Sequence, residues 1–406
     1  MSTFLFAVPP LTGHITPLVA VADRLGALGH RVAWSGEPTL IRKLAGEDAE
    51  VHLCPPGPTD LEARGAGLRG YAAVQFLWEE FLVPLADATH DAVAEAAVGT
   101  GADLVVADMQ ALAGPVAAAR LGLPWVTSAT TSGSLRDPFA ATPKIRQWLD
   151  ALFADLVERL CPRAVPPLTP ATLERSPHLV IAFTTEALAG PADPGGPSIV
   201  WAGPAPRQRD PGRGAMLAAA GSGPGGLFPW TWRDPSRPLV IVSLGTVNNR
   251  VGGAFLRACC EALRQLGDRV QGIVADPLGV IEQAPDNVLA RPYLPISRLL
   301  PHAAAVVCHA GHNTVCEALT HDLPLVVAPI RDDQPVIAQQ VVDAGAGIRL
   351  RFGQATPGLV AAAVTDVLAN PRYSRAARGI GSSFRAAGGA AAAAAALVSL
   401  AEEQGR

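Results

Sequence analysis

The chain has 406 residues, 49% of them hydrophobic, which is enough for two domains that each bury a core. A net charge of -4 without any Lys/Arg block supplies no basic field, which argues against nucleic acid as a partner. Cys54, Cys161, Cys259, Cys260, Cys308 and Cys316 form no C-x-x-C pair, so they read as reduced thiols of a cytoplasmic protein rather than a secreted disulfide framework.

In chain order, the opening MSTFLFAVPP has no basic segment and runs straight into an apolar strand at 4–8, which argues against a signal peptide. A turn at 9–13 follows. Pro17 then fits a helix start, Ile15, Leu18, Ala22 and Leu25 recur at helical spacing, and Gly29 closes the helix before a strand at 31–35. This β-α-β opening predicts an α/β fold with a parallel, doubly wound sheet. The same grammar returns as strands at 103–107, 125–128, 179–182 and 199–202, with a helix at 114–121. A Pro- and Gly-rich stretch reads as a linker. A second series begins with strands at 239–244 and 270–274 and a helix at 254–266, and the chain closes in helices at 357–368 and 373–403, interrupted near 379–382. The expected division is 1–208 and 238–382 as two Rossmann-like domains, 209–237 as linker, and 383–406 as a C-terminal helix. No stretch reaches 18 strongly apolar residues; residues 386–400 come closest but are mostly alanine, which predicts no stable membrane insertion.

The most informative run is 291–334. An apolar strand at 303–308 ends in His309, Ala310 and Gly311 permit a tight turn, and a helix starts near Asn313 and Thr314. The N-terminus of such a helix binds anions, and His309, Asn313 and Thr314 add donors, so a diphosphate fits there without a metal. A second buried strand at 323–328 leads to the polar turn Arg331, Asp332, Asp333 and Gln334. Polar groups at the ends of neighbouring parallel strands converge on one crevice.

In the first half, His14 lies between a strand end and a helix start. That position suits a general base at a crevice mouth or, equally, a histidine that only caps its own helix. Asp108 ends the strand before it and either orients an imidazole or caps the following helix. Ser243, Gly245 and Thr246 form an S-L-G-T loop in which small residues let the backbone approach a phosphate, although ordinary strand–helix turns look alike. Phe76, Trp78, Phe81 and Phe139 lie in stretches that follow sheet elements, where aromatic surface suits a flat apolar ligand or plain core. No set of His, Cys, Asp or Glu has metal-ligand spacing.

These motifs, an aromatic-x-Pro at Tyr293, H-x-G-x-N-T-x-x-E from His309 to Glu317, and the final Asp333-Gln334, resemble the nucleotide-sugar signature of the UDP-glycosyltransferase family, most closely its bacterial macrolide and antibiotic members. The resemblance implies a GT-B fold, with two Rossmann-like domains facing each other across a cleft and the last helix crossing back onto the first. It implies that His14, in a G-H-x-x-P motif, is the base that deprotonates an acceptor hydroxyl and that Asp108 is its partner. Tyr293 would stack on the nucleobase where the family often has tryptophan, Glu317 would bind ribose, and Asp333 with Gln334 the donor sugar. Ser243, Gly245, Thr246, His309, Gly311, Asn313 and Thr314 complete the expected donor site. Two positions depart from the pattern: Ile296 replaces a glutamine, and His312 sits where the residue type varies and reads as structural. The implied activity is inverting, metal-independent transfer from a UDP- or dTDP-sugar to an apolar natural product, with no cofactor beyond that co-substrate. A homodimer and an auxiliary protein are left open. Alternatives are a transferase for a lipid-linked or cell-wall intermediate, a nucleotide-sugar epimerase, and a non-catalytic activator of another glycosyltransferase.

Overall fold

The computed structural model of the chain describes residues 1–65, 67–193, 195–206, 228–245 and 252–404. They form two compact units, Met1–Arg207 together with Phe384–Arg406, and Gln208–Ser383. Most of the expected linker, residues 209–227, lies outside the described residues, as does Thr246.

The sheet of the first unit contains β1 (Thr3–Ala7), β2 (Arg31–Gly36), β3 (Val51–Leu53), β4 (Leu104–Asp108), β5 (Trp125–Ala129), β6 (Leu179–Ala182) and β7 (Ile199–Trp201). All pairs are parallel, in the order β3-β2-β1-β4-β5-β6-β7. Strands β1, β4, β5 and β6 are buried at every position, which is why they read as unbroken apolar runs: helices cover both faces of a parallel sheet. Alternation sorts the side chains. Phe4, Phe6, Leu104, Val106 and Ile181 face the helices Thr12–Ala27 and Gly389–Gln404, and Leu5, Ala7 and Val105 join the opposite core with Val93, Val116 and Phe153.

The C-terminal segment is therefore part of the first unit's core, not an appendage. Ala393, Ala394 and Leu397 are fully buried in it. The Gly389 amide donates to the Ala202 carbonyl at 2.7 Å, just beyond β7. Gly203, at φ +74°, lets this segment approach, since a Cβ there would stand 3.0 Å from both the Ala387 Cβ and the Phe384 carbonyl oxygen.

The second unit repeats the plan with β8 (Leu239–Ser243), β9 (Gln271–Ala275), β10 (Val288–Arg291), β11 (Ala305–Cys308), β12 (Leu325–Val327) and β13 (Gly347–Arg349). They are all parallel, in the order β10-β9-β8-β11-β12-β13. Val240, Val242 and Val307 pack with Phe255, Cys259, Leu263 and Val364. In both sheets the winding reverses at the first strand. The loops leaving β1 and β4, and those leaving β8 and β11, therefore diverge and open a crevice at the strand ends, where ligands bind in such folds.

One expectation is corrected. The helix Pro371–Ala387 runs unbroken through residues 379–382, and the interruption falls at Gly388 and Gly389, whose φ angles are +89° and +56°. Ala377, Ile380 and Phe384 bury one stripe of that helix, and packing outweighs the intrinsic cost of Gly379. Strands β3, β10 and β13 escaped the sequence reading because they have three or four residues and expose part of their length. Among the described residues no single helix is long and apolar enough to cross a membrane.

Truncating Leu397 to Ala should destabilise the first unit by about 2–5 kcal/mol, the usual cost of emptying a buried leucine site. Urea unfolding followed by tryptophan fluorescence measures it, and a loss below about 1 kcal/mol would show that the C-terminal helix is not integral to that core.

Candidate functional site

The β1–α turn and the end of β4 place two ionisable side chains together at the switch point of the first sheet. His14 sits in the first turn of the helix Thr12–Ala27, and Asp108 is the last residue of β4, in register with Ser128 of β5. His14 Nδ1 lies 2.9 Å from Asp108 Oδ1. The Asp108 side chain is fully buried and that of His14 is 15% exposed. Burying a carboxylate this deeply requires donors. The Gln110 amide supplies one to Oδ1 at 2.9 Å, and the Thr130 hydroxyl supplies another to Oδ2 at 2.7 Å. Thr130 Oγ1 also lies 2.8 Å from His14 Nδ1.

Thr130 was not singled out from the sequence. The signal was its position: it follows β5 directly, and β5 is the parallel neighbour of the strand that ends in Asp108.

A recess of about 150 Å³ shares the turns that carry this pair. Pro10 precedes His14 in one turn, Leu112 follows Asp108 in the other, and Glu37, Pro55, Leu85 and Thr89 complete much of its wall. Ser35 Oγ and Cys54 Sγ, 3.1 Å apart, also line it. The four expected acceptor aromatics are not in this lining. Trp78 meets Phe153 edge to face at 5.0 Å, and Phe81 is buried in a cluster with Leu82, Leu85 and Leu11. Phe76 lies under the Arg64 guanidinium, and Phe139 packs against the core beside the helix Pro143–Leu160. The two aromatic stretches thus pack on each other, a contact reinforced by Tyr71 against Trp148 and by the Trp148 indole donating to Glu79 at 2.8 Å.

In the second unit the switch point lies between β8 and β11. Ser243 ends β8, and His309 follows β11. The His309 ring is held between two glycines. A Cβ on Gly245, at φ +68°, would come 2.8 Å from its Cε1, and one on Gly311 would come 2.4 Å from its Nε2. Both positions must therefore lack a side chain for the ring to stay where it is. Ala310, between His309 and Gly311 in the chain, takes φ +64°, a conformation that costs a non-glycine residue about 1 kcal/mol or more and is held by the surrounding structure.

His309 is only 8% exposed, and its Nδ1 has no hydrogen-bond partner among the described residues. Burial pushes its pKa down to about 4, against the opposing influence of the Asp333 charge and the Ser243 main chain. The ring is thus neutral at pH 7, and Asp333 at the end of the β12 loop is near enough to act on it. The helix His312–Thr320 begins directly after the turn, with Gly311 as an N-cap that offers no side chain. Asn313 and Thr314 are half-buried in its first turn, and Glu317 is exposed one turn further on. His312 is buried, with Nε2 3.5 Å from Cys316 Sγ, a packing position.

Gln334 is buried, and its side-chain carbonyl accepts from the Ile330 and Arg331 amides at 2.9 and 3.2 Å. This folds the polar turn and commits the carbonyl end of the side chain to it. Tyr293, beyond β10, is 83% exposed, while Ile296 opens the short helix Ile296–Leu299 and is partly buried. The donor groups gathered here are imidazole, amide, hydroxyl and a helix N-terminus, which suit an anion. Among the described residues no group of three or more His, Cys, Asp or Glu could hold a metal ion.

Comparison with known proteins agrees with this architecture. Residues 264–399 match the family model described as the C-terminal domain of erythromycin biosynthesis protein CIII-like proteins. The demethyllactenocin mycarosyltransferase of Streptomyces fradiae is 28% identical over 409 residues, covering 96% of this chain and 84% of that protein. Among solved structures, the calicheamicin glycosyltransferase has a TM-score of 0.76 at 23% identity, covering 98% of each chain. A spinosyn rhamnosyltransferase complexed with thymidine diphosphate has a TM-score of 0.71 at 22% identity, covering 98% of this chain and all of that one. At such identity the two structures speak for the fold, which is GT-B. Taken with the site signature, the chain is similar over nearly its whole length to bacterial antibiotic-type glycosyltransferases, and these matches together mark it as a glycosyltransferase.

Proposed function

We propose that the protein is an inverting, metal-independent glycosyltransferase that moves a sugar from a UDP- or dTDP-linked donor to a hydroxyl of an apolar small-molecule natural product. The observation that carries the reading is the buried His14–Asp108 contact at a sheet switch point. Asp108 is an acceptor, so Nδ1 carries the ring proton and the lone pair resides on Nε2. A neutral imidazole held in that tautomer is suited to general-base catalysis near neutral pH. In this mechanism Nε2 takes the proton of the acceptor hydroxyl as its oxygen bonds to the anomeric carbon. The bond from that carbon to the diphosphate breaks on the opposite side, the bonding pair leaves with the nucleoside diphosphate, and configuration inverts. Asp108 stabilises the imidazolium that forms.

The second unit supplies the leaving-group side. Negative charge grows on the diphosphate in the transition state. The His309–Gly311 turn, Asn313, Thr314 and the N-terminus of the helix His312–Thr320 provide fixed donors of the kind that stabilise it without a bound cation. The Gln334 amide and Asp333 are assigned to sugar hydroxyls, Glu317 to ribose, and the exposed Tyr293 ring to the nucleobase. A thymidine diphosphate complex of a structural neighbour supports a dTDP donor. The demethyllactenocin in the name of one relative supports a small natural-product acceptor. The recess beside Pro10 and Leu112, mostly apolar, is assigned to that acceptor in place of the four packed aromatics.

Replacing His14 with Ala should lower kcat by about 10²- to 10⁴-fold while leaving nucleotide affinity unchanged. Steady-state kinetics with a polyketide and polyphenol panel measures this, and wild-type turnover in the variant would refute the base. UDP or dTDP should raise the melting temperature by mass action, and failure of both would remove the donor site.

His309 generates a second expectation. Its pKa is lowered on folding from near 6.5 to about 4, so the unfolded chain binds the extra proton in that interval. The stability it contributes is complete above pH 6.5 and is lost as pH falls toward 4, by up to about 3 kcal/mol. Denaturant titrations from pH 7 to 4 should show the second unit weakening, and His309→Gln should flatten that slope.

A further inference from the structure

We infer that Thr130 is a positioning residue of the catalytic pair, a third member whose hydroxyl orients both Asp108 and the His14 ring. The inference rests on the reading of His14 as the base and adds a residue to it.

A threonine hydroxyl has a single proton, and Thr130 Oγ1 lies 2.7 Å from Asp108 Oδ2, an atom that can only accept. That proton is therefore committed to the carboxylate, and the 2.8 Å contact between Thr130 Oγ1 and His14 Nδ1 is one in which the hydroxyl oxygen accepts. Nδ1–H is then shared between Asp108 Oδ1 at 2.9 Å and Thr130 Oγ1 at 2.8 Å. The three groups close a ring of contacts in which each carboxylate oxygen has a donor, with the Gln110 amide adding a further one to Oδ1.

Two consequences follow. The imidazole cannot rotate about its Cβ–Cγ bond without leaving two acceptors, which fixes where Nε2 points. The carboxylate cannot turn its Oδ2 toward the ring without losing the hydroxyl. Thr130 is 2% exposed and Asp108 likewise, so water does not readily replace the missing donor. Thr130 belongs to the loop leaving β5, so the geometry of the pair depends on three successive strand ends, those of β1, β4 and β5. Thr130 acts through His14 and Asp108 and forms no bond to a reacting atom in this scheme.

The test uses Thr130→Val, which keeps the shape and removes the hydroxyl, Thr130→Ser, which keeps the hydroxyl, and His14→Ala, all in the full chain. Thr130→Val should lower kcat by about ten- to a hundredfold with KM for the donor within about twofold, and Thr130→Ser should retain at least about a third of the activity. Nitrogen-15 NMR of imidazole-labelled protein, with the His14 signal assigned by its loss in His14→Ala, reads the tautomer directly. Wild type and Thr130→Ser should show Nδ1–H, and Thr130→Val a mixture of tautomers. If Thr130→Val keeps wild-type kcat and a pure Nδ1–H signal, the inference is wrong. Should that variant not fold, a Thr130→Ser enzyme that has lost activity or the Nδ1–H signature overturns the inference equally. Failure of the base reading looks different: His14→Ala then turns over normally, whatever Thr130 does.

Discussion

The contact between His14 and Asp108 depends on a constraint that precedes any chemistry: parallel strands buried on both faces expose polar groups only at their ends. β1 and β4 are adjacent in the sheet but far apart in sequence, and the crossovers that leave them go to opposite faces. Their C-terminal ends are therefore where the backbone turns apart and a side chain can reach a neighbour without displacing a helix. The same reasoning applied to β8 and β11 puts Ser243 and His309 at the corresponding point of the other unit. Each unit uses that place differently: the first holds an anion inside and presents an imidazole, while the second keeps an imidazole neutral and presents donors.

Much of this was readable from residues alone because it is local. A strand of unbroken apolar residues, a glycine at a turn and a helix start follow one another within a dozen positions, so Asp108 and His309 could be named at strand ends, and His14 and Asn313 at helix starts, without knowing the sheet order. The parallel α/β class followed from the repetition of β-α units, and GT-B from the resemblance. What could not be read were properties set by distant segments. Thr130 becomes relevant only because β5 lies beside β4. Gln334 carries the two ends of an amide, and only the folded turn shows that its carbonyl is occupied by the Ile330 and Arg331 amides.

The aromatic residues show the same limit from the other side. Phe76, Trp78 and Phe81 occur at spacing that suits either a ligand wall or a core, and composition does not separate the two. Packing does: Trp78 against Phe153 and Phe81 against Leu82 are interior contacts, while the recess is walled by Pro10, Pro55 and Leu112, residues without a distinctive chemical signature. Gly379 misled for a related reason. Helix propensity is a local quantity, and the buried stripe through Ala377, Ile380 and Phe384 outweighs it.

The C-terminal helix has a consequence for the order in which the molecule is completed. Because residues 384–406 belong with residues 1–207, the second unit is topologically an insertion within the first, entered near 207 and left near 384. During synthesis the sheet β1–β7 is made early, yet the part of one face that the helix Thr12–Ala27 does not cover stays open until Ala393, Ala394 and Leu397 have emerged, by which time the whole inserted unit is already available to fold. The first unit to be translated is thus the last to be finished. It must carry a partly open apolar face through the synthesis of the other, and the insertion has two seams at which the second unit can be exchanged as a single cassette.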